Sequence, residues 1–270
     1  AVREIAPHLL QIACFDTAFH HGLPRIAQLM SLPHEYQTRE IRRYGFHGLS
    51  YEYAVEKLRE DGVDVERERI IVAHLGNGAS MCAIKCGRSV DTTMGFSTLA
   101  GLMMGTRTGD LDPGAILYLM TEKGMDTAAM QHLLYERSGL LGVSGVSSDM
   151  RELLNRRDDQ AAREAVDLFC YRSRNHLAAL TTVLGGLDRL VFTGGIGANA
   201  SEIRGRICDD LGYLGIELDD GANTAGASTI STPKATVTVQ ALASDEERMI
   251  ARHVLRFAAD PAHVQEASHL

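Results

Sequence analysis

Short apolar runs of strand length alternate along the chain with stretches where apolar residues recur every three or four positions. Gln11–Phe15 is an apolar run that predicts a short strand ending at Asp16. Ser50 is placed to cap a helix running to about Glu60, with Tyr51, Ala54, Val55 and Leu58 on one face. Arg69–His74 is β-branched and unbroken, and Gly76-Asn77-Gly78 then predicts a hairpin turn into a returning strand over Ser80–Lys85. Pro113 opens a helix to about Glu122. Ala161–Leu184 is a long helical pattern stopped by Gly185-Gly186. Arg189–Phe192 is another buried strand, followed by the glycine-rich Thr193-Gly194-Gly195-Ile196-Gly197 and a helix near Ser201–Leu211. Thr229–Gln240 holds an alternating strand, ATVTVQ; Asp245–Ala258 is a final helix, and the last ten residues are expected to fray. Hairpin strands beside strand–glycine–helix units predict an α/β domain with a mixed sheet flanked by helices.

The 270 residues are enough for one large domain or two small ones. Net charge is −8, there is no Trp, and aromatics are 6%, which speaks against a nucleic-acid or anionic-membrane partner. No apolar run reaches the ~18 residues needed to span a membrane as a helix. Five cysteines, at 14, 82, 86, 170 and 208, have no framework spacing; reduced thiols and a cytoplasmic location are expected. Cys82 and Cys86 lack a second Cys/His pair at zinc spacing. The first ten residues, AVREIAPHLL, have no signal-peptide layout and read as the middle of a helix, so a fragment of a longer chain is expected.

Several segments carry candidate chemistry. His74-Leu75-Gly76-Asn77-Gly78 and Gly194–Gly197 each follow a strand, where glycines let backbone N–H groups approach phosphate oxygens. Each is equally readable as a plain turn, and neither is a Walker A or a G-x-G-x-x-G loop. Arg107 lies in Met104-Gly105-Thr106-Arg107-Thr108-Gly109-Asp110, able to clamp a phosphoryl group or to pair with Asp110 or Asp112. His47 sits between Phe46 and Gly48 just before a helix, either as a site residue or as a surface histidine. Asp16 ends its run as a cleft carboxylate or a helix cap, and Asp245-Glu246-Glu247 reads as charge at a helix start.

Taken together, the segments resemble the acetate kinase family of the actin-like ATPase and sugar kinase superfamily. The matching pieces are Phe15–His20, Arg43–Gly48, His74–Ser80, Asp91–Phe96, Leu102–Pro113, Ser147–Glu152 and Phe192–Gly197, in family order and spacing from residue 11 to 255. The resemblance implies an RNase H-like fold and Mg²⁺-dependent phosphoryl transfer (Mn²⁺ as an alternative) between ATP and acetate, giving ADP and acetyl phosphate. It implies a homodimer. It also implies residues 1–15 as a remnant of an N-terminal domain, 16–248 as a nucleotide-binding and dimerisation domain, and 249–270 as a helix returning to the first domain.

By motif position, the resemblance makes Asp16, His47 and Arg107 the catalytic set and Glu246 a metal-associated acid. His74, Leu75, Gly76, Asn77 and Gly78 fall to the nucleotide, with Asp149, Met150, Arg151, Gly194, Gly195, Ile196, Gly197 and Ala198. Phe46 and Thr98 border the acyl pocket. Such a set suits phosphoryl transfer, which asks for positioning and charge neutralisation more than covalent catalysis.

The family's N-terminal segment, with its phosphate hairpin and a second active-site Arg, has no counterpart here, so weak nucleotide binding and poor turnover by this polypeptide are expected. Thr98 stands where many relatives have Pro, and Ala198 where Glu is usual. Propionate kinase is the alternative activity, and an inactive nucleotide-binding or dimerisation domain the alternative class. A butyrate kinase fits the Met-Gly-Thr-Arg stretch less well, and a sugar kinase would want a zinc cluster or Glu-x-x-His that is absent.

Overall fold

The computed structural model describes residues 2–7, 9 and 11–259. The expected fraying of the last ten residues lies outside them. Five strands form one sheet: β1 (Ile70–Leu75), β2 (Ala79–Lys85), β3 (Arg88–Thr92), β4 (Arg189–Thr193) and β5 (Thr238–Ala241), in the order β3-β2-β1-β4-β5. β1, β2 and β3 are antiparallel neighbours, while β4 pairs parallel to both β1 and β5. The sheet is therefore mixed, as the alternation of hairpin and crossover patterns predicts.

Helices are α1 (Val2–Ile5), α2 (Arg25–Gln28), α3 (Gly48–Glu60), α4 (Pro113–Glu122), α5 (Thr127–Glu136) and α6 (Gly139–Ser144). They continue with α7 (Met150–Asn155), α8 (Gln160–Leu184), α9 (Gly194–Asn199), α10 (Ser201–Cys208), α11 (Asp220–Ala225) and α12 (Glu246–Ala259). Strand alternation divides the core. Ile71, Ala73, Leu75, Met81 and Ala83 face a large cluster with Phe169, Leu177 and Leu180 of α8. Ile70, Val72, Cys82 and Ile84 face Tyr51, Ala54, Val55 and Leu58 of α3. β1 and β4 are buried on both faces, which accounts for their unbroken apolar runs.

Four expectations are corrected. Gln11–Phe15 is not a strand: it pairs with no strand of the sheet, and Phe15 is left 69% exposed. Asp16 thus begins a turn instead of ending a strand. Ser50 does not cap α3, because the helix starts two residues earlier and His47 takes the cap position. Thr193–Gly197 is not a loop, since α9 begins at Gly194 directly after β4, and α10 ends at Cys208. Within Thr229–Gln240 only the end is strand, joined by isolated bridges at Thr229 and Ser231. Pro113–Glu122 forms as predicted, with Asp112 accepting from Gly114 N. The long helix is capped by Asp159 and stopped at the left-handed Gly185.

Candidate active site

The C-terminal ends of β1 and β4 open side by side, the usual place for a ligand crevice in α/β sheets. Gly194 makes this possible: its φ of +77° suits glycine, and a Cβ there would sit 2.6 Å from the Leu75 carbonyl oxygen. Beyond the two strand ends lies a cleft of about 820 Å³ lined by Gly76, Asn77, Asp149, Met150, Arg151, Gly195 and Ile196. Ser148, Arg157, Asn199 and Glu202 also line it; sequence reading missed these as site residues, although Ser148 lies within the Ser147–Glu152 piece. Asp149 caps α7 and holds Arg151, its Oδ2 2.9 Å from Nη2. That contact keeps the Asp149 carboxyl below its ordinary range.

His47 is fixed from three directions. Its backbone is left-handed, at φ 58°, which is uncommon for a residue other than glycine. Its N–H donates to Asp16 Oδ2 at 2.7 Å, and Gly48 N donates to the Asp16 carbonyl at 2.8 Å. Its Nδ1 bonds Ser80 Oγ at 2.8 Å, and its ring stacks on His74 with centroids 4.3 Å apart. His74 Nδ1 in turn bonds Ser50 Oγ at 2.8 Å. Burial, reinforced by the charge of Arg107, lowers the His47 pKa to about 4, so the ring is neutral at pH 7. Burial likewise takes His74 to about 3.

Arg107 is held by its backbone and left free at its tip. Gly105 N bonds the Asn77 carbonyl at 2.9 Å, and Ser138 N and Leu140 N at the start of α6 bond the Thr106 and Met104 carbonyls. Among the described residues the guanidinium meets only the Thr98 carbonyl at 3.2 Å and Met104 Sδ at 3.7 Å. It pairs with neither Asp110 nor Asp112: Asp110 lies 3.4 Å from His176, and Asp112 caps α4. A methyl group placed on Gly78 would lie 3.0 Å from His47 Nε2 and 4.0 Å from Arg107 Nη1. The imidazole edge and the guanidinium thus converge on the turn that also carries Gly76 and Asn77.

Residues 1–252 match the acetokinase family. The chain belongs to the acetokinase family. It is 55% identical over 261 residues to an acetate kinase of Rhodopseudomonas palustris, covering 96% of this chain and 65% of that protein. An acetate kinase of Methylocella silvestris is 51% identical, covering 94% and 62%. Among solved structures, Porphyromonas gingivalis acetate kinase superposes with a TM-score of 0.89 at 39% identity, covering 94% of this chain and 66% of that one. A propionate kinase from Francisella tularensis does so at 0.87 and 38%, covering 93% and 65%. The chain thus spans about 65% of the length of the curated relatives it matches first.

Of the residues expected from the acetokinase pattern, the fold gathers most in two adjoining groups. His47, Arg107 and Gly78 form one; Gly76, Asn77, Asp149, Met150, Arg151, Gly195 and Ile196 form the other. Asp16 joins the first through the His47 backbone. Glu246, at the start of α12, faces Asp16: burial and then the Asp16 charge raise its carboxyl above the ordinary value. Phe46 lends its carbonyl to His20 Nε2 and packs its ring on the core, while Thr98 receives Arg107. Leu75, Gly194 and Gly197 are buried beneath the cleft, outside its lining, and Ala198 is half-buried. The Gly197 and Ala198 carbonyls accept from Arg204, whose side chain is buried without a carboxylate partner among the described residues.

All five cysteines are free, and Cys82 and Cys86 are not drawn into a metal cluster among the described residues. No described helix is long and apolar enough to cross a membrane.

Proposed function

We propose that this protein transfers the γ-phosphoryl group of ATP to acetate, reversibly, giving acetyl phosphate and ADP. The observation that carries the reading is the convergence of a neutral imidazole edge and an anion-free guanidinium on Gly78, at the rim of a cleft of nucleotide size. Adenine nucleotide occupies the cleft, against Asp149–Arg151 and Gly194–Ala198, with its phosphates on the Gly76-Asn77-Gly78 turn. A carboxylate of acetate, seated beside Phe46 and Thr98, attacks the γ-phosphorus. The bond from that phosphorus to the β–γ bridging oxygen breaks, and the pair leaves with ADP. Acetate is already an anion at pH 7, so the step needs no base. Arg107 and His47 offset charge on the transferred group.

Asp16 and Glu246 suit a divalent cation. Both offer hard oxygen donors, Glu246 has no ion-pair partner among the described residues, and the repulsion between the two is relieved by a charge of +2. Mg²⁺, or Mn²⁺ in its place, would neutralise phosphate charge there.

Dimerisation is part of the proposal. α4 buries none of its residues, and Leu117 and Tyr118 are 63% and 53% exposed. An apolar helix left uncovered is expected to meet a second surface.

Trapping acyl phosphate as its hydroxamate, with Mg-ATP and either acetate or propionate, tests the reading, alongside calorimetric titration with Mg-ADP. Turnover by the 270-residue chain supports it outright. Nucleotide binding without turnover assigns the remaining chemistry to the part of the relatives this chain does not span. Neither binding nor turnover would overturn it. The ratio of the two acids' kcat/KM decides between acetate and propionate, a one-methylene choice worth ~1–3 kcal/mol.

A further inference from the structure

A buried chain of hydroxyls decides which nitrogen of His47 carries its proton. The Tyr51 phenol is fully buried, and its only hydrogen-bond partner among the described residues is Ser80 Oγ. Ser80 is also fully buried and has one further partner, His47 Nδ1 at 2.8 Å. Tyr51 and Ser80 each own one hydroxyl proton. If Ser80 donated to Tyr51, the phenolic proton would be stranded in the core with no acceptor, which costs far more than an idle lone pair. Tyr51 therefore donates to Ser80, Ser80 donates to Nδ1, and Nδ1 is an acceptor. The ring proton is then on Nε2. That nitrogen has no partner among the described residues and points at the space beside Gly78 shared with Arg107.

We propose that Ser80, held by the Tyr51 phenol, is a positioning residue that locks His47 in its Nε2–H tautomer, so that it presents a donor and not a lone pair to an anionic oxygen beside Gly78. That the anion is a transferring phosphoryl group rests on the function proposed above; the tautomer does not.

A second relay runs parallel to it. Cys82 Sγ donates to Ser89 Oγ at 3.2 Å, Ser89 bonds His20 Nδ1 at 2.8 Å, and His20 Nε2 ends on the Phe46 carbonyl, which can only accept. The same proton counting gives His20 an Nε2–H, which it turns to the peptide before His47.

The test is nitrogen NMR of the chain labelled with ¹⁵N-histidine at pH 7, with His47 assigned by the resonances missing from His47→Gln. The expected spectrum has a pyridine-type Nδ1 and a protonated, pyrrole-type Nε2 for His47. Ser80→Ala removes the hydroxyl that donates to Nδ1, and the Nδ1–H fraction rises at least tenfold; Ser80→Thr keeps the wild-type tautomer, and so does Tyr51→Phe, because the Ser80 proton still has Nδ1 as its acceptor. A wild-type ring carrying Nδ1–H overturns the proposal, whether or not any variant folds. So does an unchanged tautomer in Ser80→Ala. In the hydroxamate assay Ser80→Ala should lower kcat about tenfold with the nucleotide KM within twofold. An Nε2–H ring in a protein that makes no acyl phosphate leaves the relay standing and removes only the proposed function.

Discussion

His20 Nε2 donates to the carbonyl oxygen of Phe46 at 3.0 Å, pinning the peptide that precedes His47. His20 is 2% exposed, so the bond is made where water cannot replace it. It ties the short helical turn Ala18–His20 to the left-handed start of α3. Replacing His20 with Phe keeps an aromatic ring beside Phe19 and Tyr51, but it takes the donor from the Phe46 carbonyl and the acceptor from the Ser89 hydroxyl, which keeps only Cys82 Sγ among the described residues. Loss of one buried partner of this kind costs about 1–3 kcal/mol. Urea denaturation of His20→Phe should show a loss in that range, and a change below half a kcal/mol would mean that the turn does not depend on the bond.

Arg204 secures the opposite wall. Its guanidinium donates to the Gly197, Ala198 and Asn223 carbonyls and to Asn223 Oδ1, all between 2.8 and 2.9 Å. Two of those acceptors are C-terminal carbonyls of α9, so the cation also meets the negative end of that short helix. Arg204→Leu should destabilise the chain by about 3–5 kcal/mol, because four buried acceptors lose a charged donor. Lys, with one donor head in place of a planar fork, should recover less than half of the loss. Thermal unfolding of the two variants checks both statements.

These two residues show what the sequence does and does not carry. β1, β2, β4, α4 and α8 are legible because their partners impose a simple period: both faces buried for the strands, one face for α8, and Pro113 and Asp112 marking the start of α4. The glycines of 194–197 read as a loop, yet they are helical, since Arg204, seven residues beyond Gly197, closes the turn from a distance. Gln11–Phe15 has the composition of a strand but pairs with none of the five strands. The order of the motifs singles out Asp16, His47, Arg107 and Asn77, and the fold brings His47 and Arg107 to the turn that carries Asn77. Motif order does not pair Ser80 with Tyr51, because their link spans 29 positions and joins a strand to a helix that no local pattern connects.

Acid should weaken the fold through the site. In the unfolded chain His47 and His74 take up protons near the ordinary value of 6.5, whereas in the fold they do so only near 4 and 3. The unfolded state therefore binds more protons between those limits. The stabilisation is complete above pH 6.5 and is lost progressively as the pH falls to about 4 for His47 and 3 for His74. Each histidine adds a slope of about 1.4 kcal/mol per pH unit within its window. Chemical denaturation at intervals from pH 7 to 4.5 should show the decline, and His47→Gln should remove one proton's share of it. An identical slope in wild type and variant would contradict the buried, neutral His47.

Arg107 should matter to turnover and little to stability. Among the described residues its side chain meets the Thr98 carbonyl at 3.2 Å and Met104 Sδ at 3.7 Å, and makes no ion pair. Arg107→Ala should leave the unfolding midpoint nearly unchanged, with less than about 1 kcal/mol lost. Under the proposed function it should lower acyl phosphate formation ~10²–10⁴-fold, the usual cost of removing a charge-stabilising donor. The split separates an electrostatic role from a scaffolding one. A large stability loss, or activity within threefold of wild type, would mean that the loop and not its cation is what the reaction needs.

The uncovered face of α4 gives a prediction about assembly. Leu111, Ile116 and Val183 border a cavity of about 670 Å³ beside α4, and Leu117 and Tyr118 stand next to it in sequence, exposed. The start of α4 follows directly on the loop that carries Arg107, so a partner on this face would press on the segment that aims the guanidinium. Light scattering should give a wild-type mass twice the 29.4 kDa of the chain. Leu117→Glu puts a charge at the centre of the face and should return that mass to a single chain, with the unfolding midpoint measured in parallel to show that the fold survives. Because Leu117 is 63% exposed in the single chain, its replacement removes little internal packing. A variant that stays dimeric would move the interface elsewhere on the molecule, and a monomeric wild type would remove dimerisation from the proposal.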